Sequence, residues 1–456
     1  MKQGRADDDG LAAAQRVIAA GGRVPKKFAK ARPVSAGPTR DAARASAKIT
    51  PARRVAFEIL TLVGDSKGHS DELLHGVRVE ELSEADRHLA TALVMGVLRW
   101  QIALDAQIRA LLQRPDQRLA EPVALVLRLG AFQLLHMDRI PAHAALSESV
   151  EMCRAAGQPH AAGMVNAVLR KIAASPKPSL TRIWEPTAAL AERLGHPVWL
   201  VERWVAEYGR EAAIQICEAD QREPEGGGLF ATDEALPQID DGSRLVAEIA
   251  VAALPAMEGR AARVWDCCAA PGGKTLVLAA RLPGAEILAT DVSPKRTAQM
   301  VARLRRFSYA AEVRTQVADA AKLAEEAGEF DLILCDVPCS GTGTLGRNPE
   351  IRLRLKPEEL HRQAARQKEI LAAALKRLAP GGRLVYSTCS LEPEENEVVV
   401  AAVAQGFARL PVAELLGRIP GLTGLREGIV RDGALRTLPG VDACDGFYAA
   451  VLQRAY

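Results

Sequence analysis

Two cysteines follow apolar stretches at points where a thiol could take part in chemistry. Cys389 lies in "YSTCSLEPEENE", a turn rich in hydroxyl and carboxyl groups that comes just after the apolar run "GGRLV". Cys339 lies 50 residues earlier in "CDVPCSGTG", a stretch that begins directly after the apolar run "DLIL". Structural cysteines are usually buried inside strands and helices. We therefore interpret these two as candidates for nucleophilic or proton-transfer roles.

The other cysteines give no comparable signal. The chain has eight dispersed cysteines, with no CxxC pair and no His-x3–5-His partner. This pattern argues against a disulfide framework and a metal site, and it favours a reduced, cytoplasmic setting. Cys267, Cys268 and Cys335 are interpreted as small buried hydrophobic residues, apart from the main chain of Cys268.

A glycine-containing loop, "DCCAAPGGKT", follows one apolar run and precedes a helical pattern. A phosphate-binding P-loop would need glycine at position 268, which is cysteine, and the dinucleotide pattern Gly-x-Gly-x-x-Gly is absent. Asp291 comes 19 residues after Gly272 at the end of the next predicted strand, where it suits ribose hydroxyls. Asp319 ends the third strand, where it could accept a hydrogen bond from an adenine amino group.

These acids favour a nucleoside that carries no large anionic tail, and S-adenosylmethionine has that form. Taken singly, Asp291 and Asp319 are equally consistent with turn or cap residues. Their order at successive strand ends favours the cofactor, because ligands of open α/β sheets bind outside the carboxyl ends of the strands.

Asp336 and Cys339 stand where methyltransferases of exocyclic amines commonly have Asn/Asp-Pro-Pro-aromatic, and a thiol replaces the aromatic ring. This indicates methylation at carbon. Carbon 5 of cytosine is a poor nucleophile until a thiolate adds to carbon 6, and a carboxyl group near N3 and N4 favours that addition. Asp336 is the candidate for the carboxyl group. The residues alone do not decide which thiol attacks.

The elements that must position these groups fall into two regions of different pattern. Apolar spacings of three and four predict helices in "PARRVAFEILTLV", "EADRHLATALVMGVLRWQIALDAQIRALL", "EPVALVLRLGAFQLLHM" and "AAGMVNAVLRKIAA". From about Arg263, apolar strands alternate with helices, which predicts a doubly wound α/β sheet. We expect a basic, disordered tail over 1–50 and an all-α domain over 51–177. A linker with a shortened N-terminal part of the catalytic region follows over 178–262, and the α/β domain spans 263–456.

The charge is concentrated at the start of the chain. Residues 1–50 hold eleven Lys or Arg against four Asp, a balance of +7, although the whole chain carries only +3. The segment has too little hydrophobic content to fold alone, and a basic arm attracts phosphate backbones. A solubilising tail without a partner is an equally good interpretation. No run of 18 apolar residues predicts a membrane span, and the first residues lack the pattern of a secretory signal.

With these residues in place, the chain resembles the RNA cytosine-5 methyltransferases of the RsmB/NOP2/Sun family. The motifs "DCCAAPGGKT", "ATDVSPKR", "VADA", "DVPCSGTGTLGRNPEI" and "YSTCSLEPEENE" are similar in sequence, order and spacing. "GVLRW", "LRLGAFQLLHMDRIPAHAALSESVE" and "VNAVLRKI" resemble the NusB-type RNA-binding domain of the bacterial 16S rRNA enzyme. "LRTLPGVDACDGFYAAVLQR" resembles the C-terminal end of that enzyme.

The resemblance implies a Rossmann-like class I methyltransferase with a mostly parallel, seven-stranded sheet behind an all-α NusB-like domain. It implies Cys389 as the nucleophile, Cys339 as the residue that assists release, and Asp336 in contact with base and cofactor. It implies RNA, most simply 16S rRNA, as the partner of a monomeric enzyme. The implied S-adenosylmethionine site is Cys268, Ala269, Ala270, Pro271, Gly272, Gly273, Lys274, Asp291, Asp319 and Asp336.

The chain departs from the family pattern in three places. Val337 replaces the usual alanine of "DAPCSG", and an aliphatic residue near Leu353 replaces a usual aromatic. Most of a small RRM-like subdomain is missing before "IDDGSRLVAEIAVAAL". The chemistry does not need that subdomain, so we expect RNA binding that is weaker or differently placed, compensated by the NusB-like domain and the basic tail.

Three functions are compared. An RNA cytosine-5 methyltransferase accounts for both thiols, Asp336 and the glycine loop. An RNA-binding ribosome-assembly factor with an inactive methyltransferase fold should have lost part of that set. A methyltransferase for protein or small molecules leaves the thiols and the NusB-like domain unexplained, and DNA is disfavoured by the same domain.

Overall fold

A computed structural model describes residues 44–175, 185–223, 228–234, 236–323, 325–423, 425–426 and 428–455. Most of the predicted basic tail, residues 1–43, lies outside the described residues, and so does most of the predicted linker "SPKPS", residues 176–179.

The first part of the structure is an all-α domain. Its helices are α1 (Pro51–Gly64), α2 (Ser70–Leu74), α3 (Val77–Glu80), α4 (Glu84–Leu111), α5 (Glu121–His136), α6 (Ala142–Ala155) and α7 (Ala162–Ala174). The four helices predicted from apolar spacing are α1, α4, α5 and α7, and their bounds agree with the prediction within about one residue. Ile59, Leu93, Val97, Leu127 and Leu169 are fully buried in one core that these helices share.

Within the described residues, only α4 is long and apolar enough by length and composition to cross a membrane. Its apolar residues Leu93, Val94 and Val97 are wholly buried in the core of the all-α domain. Leu98, Leu104 and Ile108 of α4 are buried in the same core.

A second helical group connects the two domains. It comprises α8 (Thr187–Arg193), α9 (Val198–Tyr208) and α10 (Arg210–Ala219). Leu190, Trp204 and Ile216 form its core, together with Leu345 and Leu391 from the α/β domain. This group therefore packs directly beneath the turns that follow two strands of the sheet.

The remainder is an α/β domain. Its strands are β1 (Arg263–Asp266), β2 (Glu286–Asp291), β3 (Glu312–Val317), β4 (Phe330–Asp336), β5 (Leu378–Thr388), β6 (Ala408–Leu410), β7 (Val430–Arg431), β8 (Ala434–Arg436) and β9 (Tyr448–Gln453). Its helices are α11 (Asp241–Ala253), α12 (Gly273–Arg281), α13 (Pro294–Leu304), α14 (Ile351–Arg354), α15 (Pro357–Leu375), α16 (Glu397–Val403) and α17 (Val412–Leu416).

The sheet has the order β3-β2-β1-β4-β5-β9-β8-β7, and β6 also pairs with β9. The first five strands in this order are parallel, and the pairings of β9 with β5, β6 and β8 are antiparallel. The predicted α/β fold with a mostly parallel sheet behind an all-α domain is confirmed. The number of strands differs from the prediction: the sheet has nine strands, and seven were expected.

Helices cover both faces of the sheet. Alternate residues of β4 point to opposite faces, so Leu332 and Leu334 pack with α11 and α12 while Ile333 and Cys335 pack with α15. Burial on both faces explains why the central strands are continuous apolar runs in the sequence. It also fixes the carboxyl ends of β1 to β5 along one edge.

Candidate active site

The two candidate thiols meet at this edge. Cys339 follows β4 and Cys389 follows β5, and the register of these neighbouring parallel strands aligns Asp336 with Ser387. The Sγ atoms of Cys339 and Cys389 are 3.4 Å apart, within hydrogen-bonding distance for sulfur. Both residues are half-buried, so the edge around Cys339 and Cys389, here named the thiol cleft, is partly open to solvent.

Main-chain hydrogen bonds hold the two thiol-bearing turns together. The N–H of Val337 donates to Ser387 O at 3.0 Å, and the N–H of Gly343 donates to Cys389 O at 2.9 Å. Residue 343 must be glycine, because a Cβ there would lie 2.1 Å from the carbonyl oxygen of Gly446. The geometry of the thiols is thus set by the backbone around them.

An ion pair lies beside the thiols. Asp336 Oδ2 accepts a hydrogen bond from Lys274 Nζ at 2.8 Å, and its Oδ1 accepts from Ser387 Oγ at 2.8 Å. Burial opposes a charge on Lys274, but the carboxylates of Asp336 and Asp240 outweigh it and raise the pKa of the ammonium group. Lys274 therefore stays protonated, and its charge also interacts with Cys389.

The predicted glycine loop wraps tightly between β1 and α12. The N–H of Ala269 donates to Thr290 O at 2.8 Å, and the N–H of Gly272 turns back to Ala269 O at 2.7 Å. Gly272 has a φ of +91°, and a Cβ would lie 2.9 Å from Met300 Cγ, so both conformation and space favour glycine. The loop thereby brings the main chain and Lys274 to the thiol cleft.

Asp266 is a residue of this site that the sequence analysis did not single out. It is buried at the end of β1, and its Oδ2 accepts from Thr275 Oγ1 at 2.7 Å. Its Oδ1 has no hydrogen-bond partner among the described residues. Burial raises the pKa of Asp266 to about 7, and the nearby Asp336 adds to that rise, although the hydrogen bond from Thr275 opposes it. The sequence signal was available, because Asp266 ends a strand as Asp291 and Asp336 do.

Asp291 and Asp319 lie further along the same edge, away from the thiols. Asp291 is buried at the end of β2 and accepts from the N–H of Ser293 at 2.9 Å. Asp319 follows β3 and accepts from the N–H of Ala321 at 3.1 Å, as the cap of a short 3-10 helix. Each carboxylate therefore supports a turn and still has lone pairs left for a ligand.

The structure groups the predicted residues into two sets. Cys339, Cys389, Asp336 and Lys274 converge at the ends of β4 and β5, whereas Asp291 and Asp319 lie on the β2–β3 side. Asp266 stands between the sets, since its carboxylate interacts with both Asp336 and Asp291. Among the described residues, no three His, Cys, Asp or Glu side chains are placed to hold a metal ion.

Comparison with known proteins relates both domains to described families. Residues 253–453 match the model of the 16S rRNA methyltransferases RsmB/F, and residues 50–174 match that of the NusB family. The chain is 31% identical to a probable ribosomal RNA small subunit methyltransferase B of Bacillus subtilis, over 89% of this chain and 99% of the relative. It is 32% identical to ribosomal RNA small subunit methyltransferase B of Xanthomonas campestris, over 91% and 99%.

The fold also has a counterpart among solved structures. The crystal structure of the protein PH0851 is similar with a TM-score of 0.66 and 22% sequence identity, and the match covers 89% of this chain and 99% of that one. This similarity supports the architecture from the all-α domain to the last strand.

Proposed function

The chain belongs to the RsmB/F family of 16S rRNA methyltransferases, which use S-adenosylmethionine, and on that premise we propose the reaction of its two thiols. The chain methylates carbon 5 of a cytosine in 16S rRNA, and Cys389 bonds transiently to carbon 6. The 3.4 Å contact between the two sulfurs, beside a half-buried Lys274–Asp336 ion pair, is the observation that carries this proposal.

The residues at the sheet edge fit the cofactor. The loop from Cys268 to Lys274 binds S-adenosylmethionine in this proposal, together with Asp291, Asp319 and Asp336. An unpartnered Asp266 oxygen beneath this loop suits the amino group that S-adenosylmethionine carries. The side chain of Val292 next to Asp291 is 51% exposed and offers an apolar surface to a planar ring. When bound, S-adenosylmethionine supplies the electrophilic methyl group.

Cys389 acts first in the proposed mechanism. A free thiol has a pKa of about 8.5, so the nucleophile needs its surroundings to favour the thiolate. The Lys274 ammonium group provides positive charge, and the thiol of Cys339 can donate a hydrogen bond to the Cys389 sulfur. Addition of that sulfur to carbon 6 makes carbon 5 electron-rich and able to accept the methyl group.

Asp336 and Cys339 act on the base and on its release. In the proposed mechanism, the Asp336 carboxylate accepts hydrogen bonds from the N4 amino group and from N3 in its protonated form, and the protonated ring favours addition at carbon 6. After methylation, the proton on carbon 5 passes to solvent, and the electron pair of that C–H bond re-forms the carbon 5–carbon 6 double bond as the bond from sulfur to carbon 6 breaks. The sulfur keeps the electron pair of the broken bond, and this departing thiolate accepts a hydrogen bond from Cys339.

The relatives are named for small-subunit ribosomal RNA and the family for 16S rRNA, and these names support 16S rRNA as the substrate and, with it, the bacterial cytoplasm as the compartment. The active enzyme of this proposal is a monomer. An assembly factor without activity is the alternative, and it leaves unexplained why the thiols, the ion pair and the glycine loop are all present and in contact.

Bisulfite sequencing of 16S rRNA from cells with and without the protein tests the proposal. One cytosine should be protected only when the protein is present, and Cys389→Ala should abolish that protection while cofactor binding is retained. Cys153→Ala, which removes a buried thiol of the all-α domain, controls for loss of a cysteine as such. Normal protection by Cys389→Ala would reject the proposed role, and no protected cytosine with the wild-type protein would favour the assembly factor.

A further inference from the structure

A buried carboxylate lies behind the two thiols, and the mechanism above gives it no task. Glu395 is 0% exposed. Its Oε1 accepts from the N–H of Ser340 at 2.9 Å and from Gln367 Nε2 at 3.0 Å, and its Oε2 accepts from both Ser390 Oγ, at 2.5 Å, and Ser340 Oγ. In the part of the chain that the structure describes, no Lys, Arg or His side chain forms an ion pair with Glu395. Its charge is stabilised by neutral donors alone.

The donors to Glu395 are the neighbours of the two thiols. Ser340 directly follows Cys339, and Ser390 directly follows Cys389. The two serine Oγ atoms are themselves 3.0 Å apart. A single carboxylate thus joins both thiol-bearing turns, which come from different strands 50 residues apart in the chain.

Neighbouring groups fix the carboxylate in this position. The hydroxyl of Tyr386 donates to the main-chain oxygen of Glu395 at 2.6 Å. Asn396 Nδ2 donates to Ser390 O at 2.9 Å. Glu395 is therefore held from β5, from α15 through Gln367, and from its own turn, so the position of its carboxylate between the two serines is fixed.

The charges around the two sulfurs differ. The negative charge of Glu395 acts on Cys339, and the positive charge of Lys274 acts on Cys389. The hydrogen bond with Cys389 and burial raise the pKa of the Cys339 thiol well above its ordinary value, and Glu395 raises it further. Of the two sulfurs, Cys339 is therefore the one that keeps its proton.

We propose that Glu395 is a positioning residue that holds the two thiol-bearing turns at contact distance and keeps the shared proton on Cys339. This inference rests on the proposed function, in which Cys389 attacks as a thiolate and Cys339 donates to the departing sulfur. A protonated Cys339 is needed for that donation, and a negative charge behind it maintains the proton without touching the substrate.

Residue-resolved alkylation tests the inference without RNA or cofactor. The full chain is treated with iodoacetamide across a pH series, and initial rates at each cysteine are read by mass spectrometry. Each reaction consumes a thiolate and releases iodide, so its rate follows the ionised fraction. In the wild-type protein, Cys389 should react first and Cys339 only at higher pH. In Glu395→Gln, Cys339 should react about tenfold faster at pH about 8.5, because loss of the nearby negative charge favours its thiolate.

Glu392→Gln is the matched control. Glu392 is also buried and lies three residues earlier, but its carboxylate accepts from Arg203 and Trp204, outside the thiol-bearing turns. We expect the Cys339 rate of this variant to equal that of the wild-type protein. An equal rise in both variants would mean that loosened packing exposes the thiol, and it would overturn the inference.

An unchanged Cys339 rate in Glu395→Gln would also overturn it. If that variant does not fold, the wild-type protein still tests where the proton lies. Alkylation of wild-type Cys339 at the same pH as Cys389, or at a lower pH, would contradict the proposed location of the proton on Cys339. The order of alkylation does not depend on methyl transfer. Failure of the wild-type protein to methylate cytosine would therefore remove the proposed function while the alkylation result stands.

Discussion

Single residues give the two contacting thiols different environments. Cys389 interacts with the ammonium group of Lys274, which Asp336 and Asp240 keep charged. Cys339 interacts with the carboxylate of Glu395. Two sulfurs 3.4 Å apart in a symmetric environment would share their roles. Here the unequal charges favour attack by one sulfur and hydrogen-bond donation by the other.

Cys339→Ala is expected to trap the protein on its RNA. Without the thiol of Cys339, the departing Cys389 sulfur loses its hydrogen-bond donor, so the covalent adduct should accumulate. Turnover should fall by about 10²–10⁴-fold, the usual range for losing a group active in proton transfer. Denaturing gels of protein incubated with 16S rRNA and S-adenosylmethionine would show the adduct as a shifted band.

The double variant Cys339→Ala/Cys389→Ala serves as the control and should show no shifted band, because it lacks the attacking sulfur. Wild-type turnover by the Cys339→Ala variant, with no adduct, would contradict the role of Cys339 in release.

At the residue scale, the carboxylates of the site are predicted from the sequence by one rule. The rule is that functional groups follow the carboxyl ends of parallel strands. The rule selects Asp291, Asp319 and Asp336, whose functional roles stay predictions, and it applies equally to Asp266, which also ends a strand. It could not find the pairing of Lys274 with Asp336 or the bridging role of Glu395. Those interactions depend on how separate turns pack in three dimensions, and a linear pattern does not contain that information.

Among the elements, the segment that follows the Cys339 turn ties the catalytic edge to both helical groups. Arg352 of α14 is almost completely buried, and its guanidinium donates to the carbonyl oxygens of Arg99, Gly195, Asp220 and Leu345. Burial lowers the pKa of Arg352 to about 10, although Asp220 opposes the shift, so the group is still charged at neutral pH.

Arg352→Ala is expected to destabilise the whole structure. The substitution leaves four carbonyl oxygens without this donor at the junction of the all-α domain, the connecting helices and the Cys339 segment. Each buried acceptor left unsatisfied costs about 1–3 kcal/mol, so a loss of at least about 3 kcal/mol in unfolding free energy is expected. Urea unfolding followed by circular dichroism measures it.

Arg314→Ala provides the comparison, because Arg314 pairs with Glu312 on the exposed face of β3. Its unfolding midpoint should equal that of the wild-type protein. Equal midpoints for all three proteins would show that the hydrogen bonds of Arg352 do not hold the domains together.

The elements that were predictable are those with a long, regular apolar pattern. The 28-residue α4 and the 7-residue β4 are examples, since each keeps one period over its whole length. Helix α6 was missed because its residues are largely alanine, serine and glutamate, which mark no clear apolar face. Strands β6, β7 and β8 have only two or three residues, too few to display alternation, and pairing with longer neighbours creates them.

At the scale of the whole molecule, the described part of the region between the connecting helices and β1 contains few helices or strands. Among the described residues from 220 to 262, α11 is the only helix or strand, and Phe230 makes one isolated bridge to Leu422. The expected loss of most of an RRM-like subdomain falls in this region and stays a prediction. On that prediction, we expect the surface that holds RNA to come from the all-α domain, the catalytic edge and the basic segment at the start of the chain.

Removal of residues 1–43 tests how much that segment contributes. It contains nine Lys or Arg and four Asp. If its basic side chains bind phosphates, its removal should weaken 16S rRNA binding. The salt dependence of the affinity should also decrease, by about 0.7–0.9 in logarithmic slope for each phosphate that is no longer neutralised. Fluorescence anisotropy with labelled rRNA fragments at several salt concentrations measures both quantities.

A variant that keeps the full length but replaces the nine basic residues by Gln separates charge from length. Equal reductions in affinity for the truncated and the uncharged variants would assign the effect to phosphate binding, because both remove the same positive charges. A salt slope that neither variant changes would instead identify the segment as a solubilising extension, and RNA binding would then rest on the folded domains alone. In that case the charged groups around the thiol cleft, Lys274 among them, become the first positions at which to look for the remaining interactions with RNA.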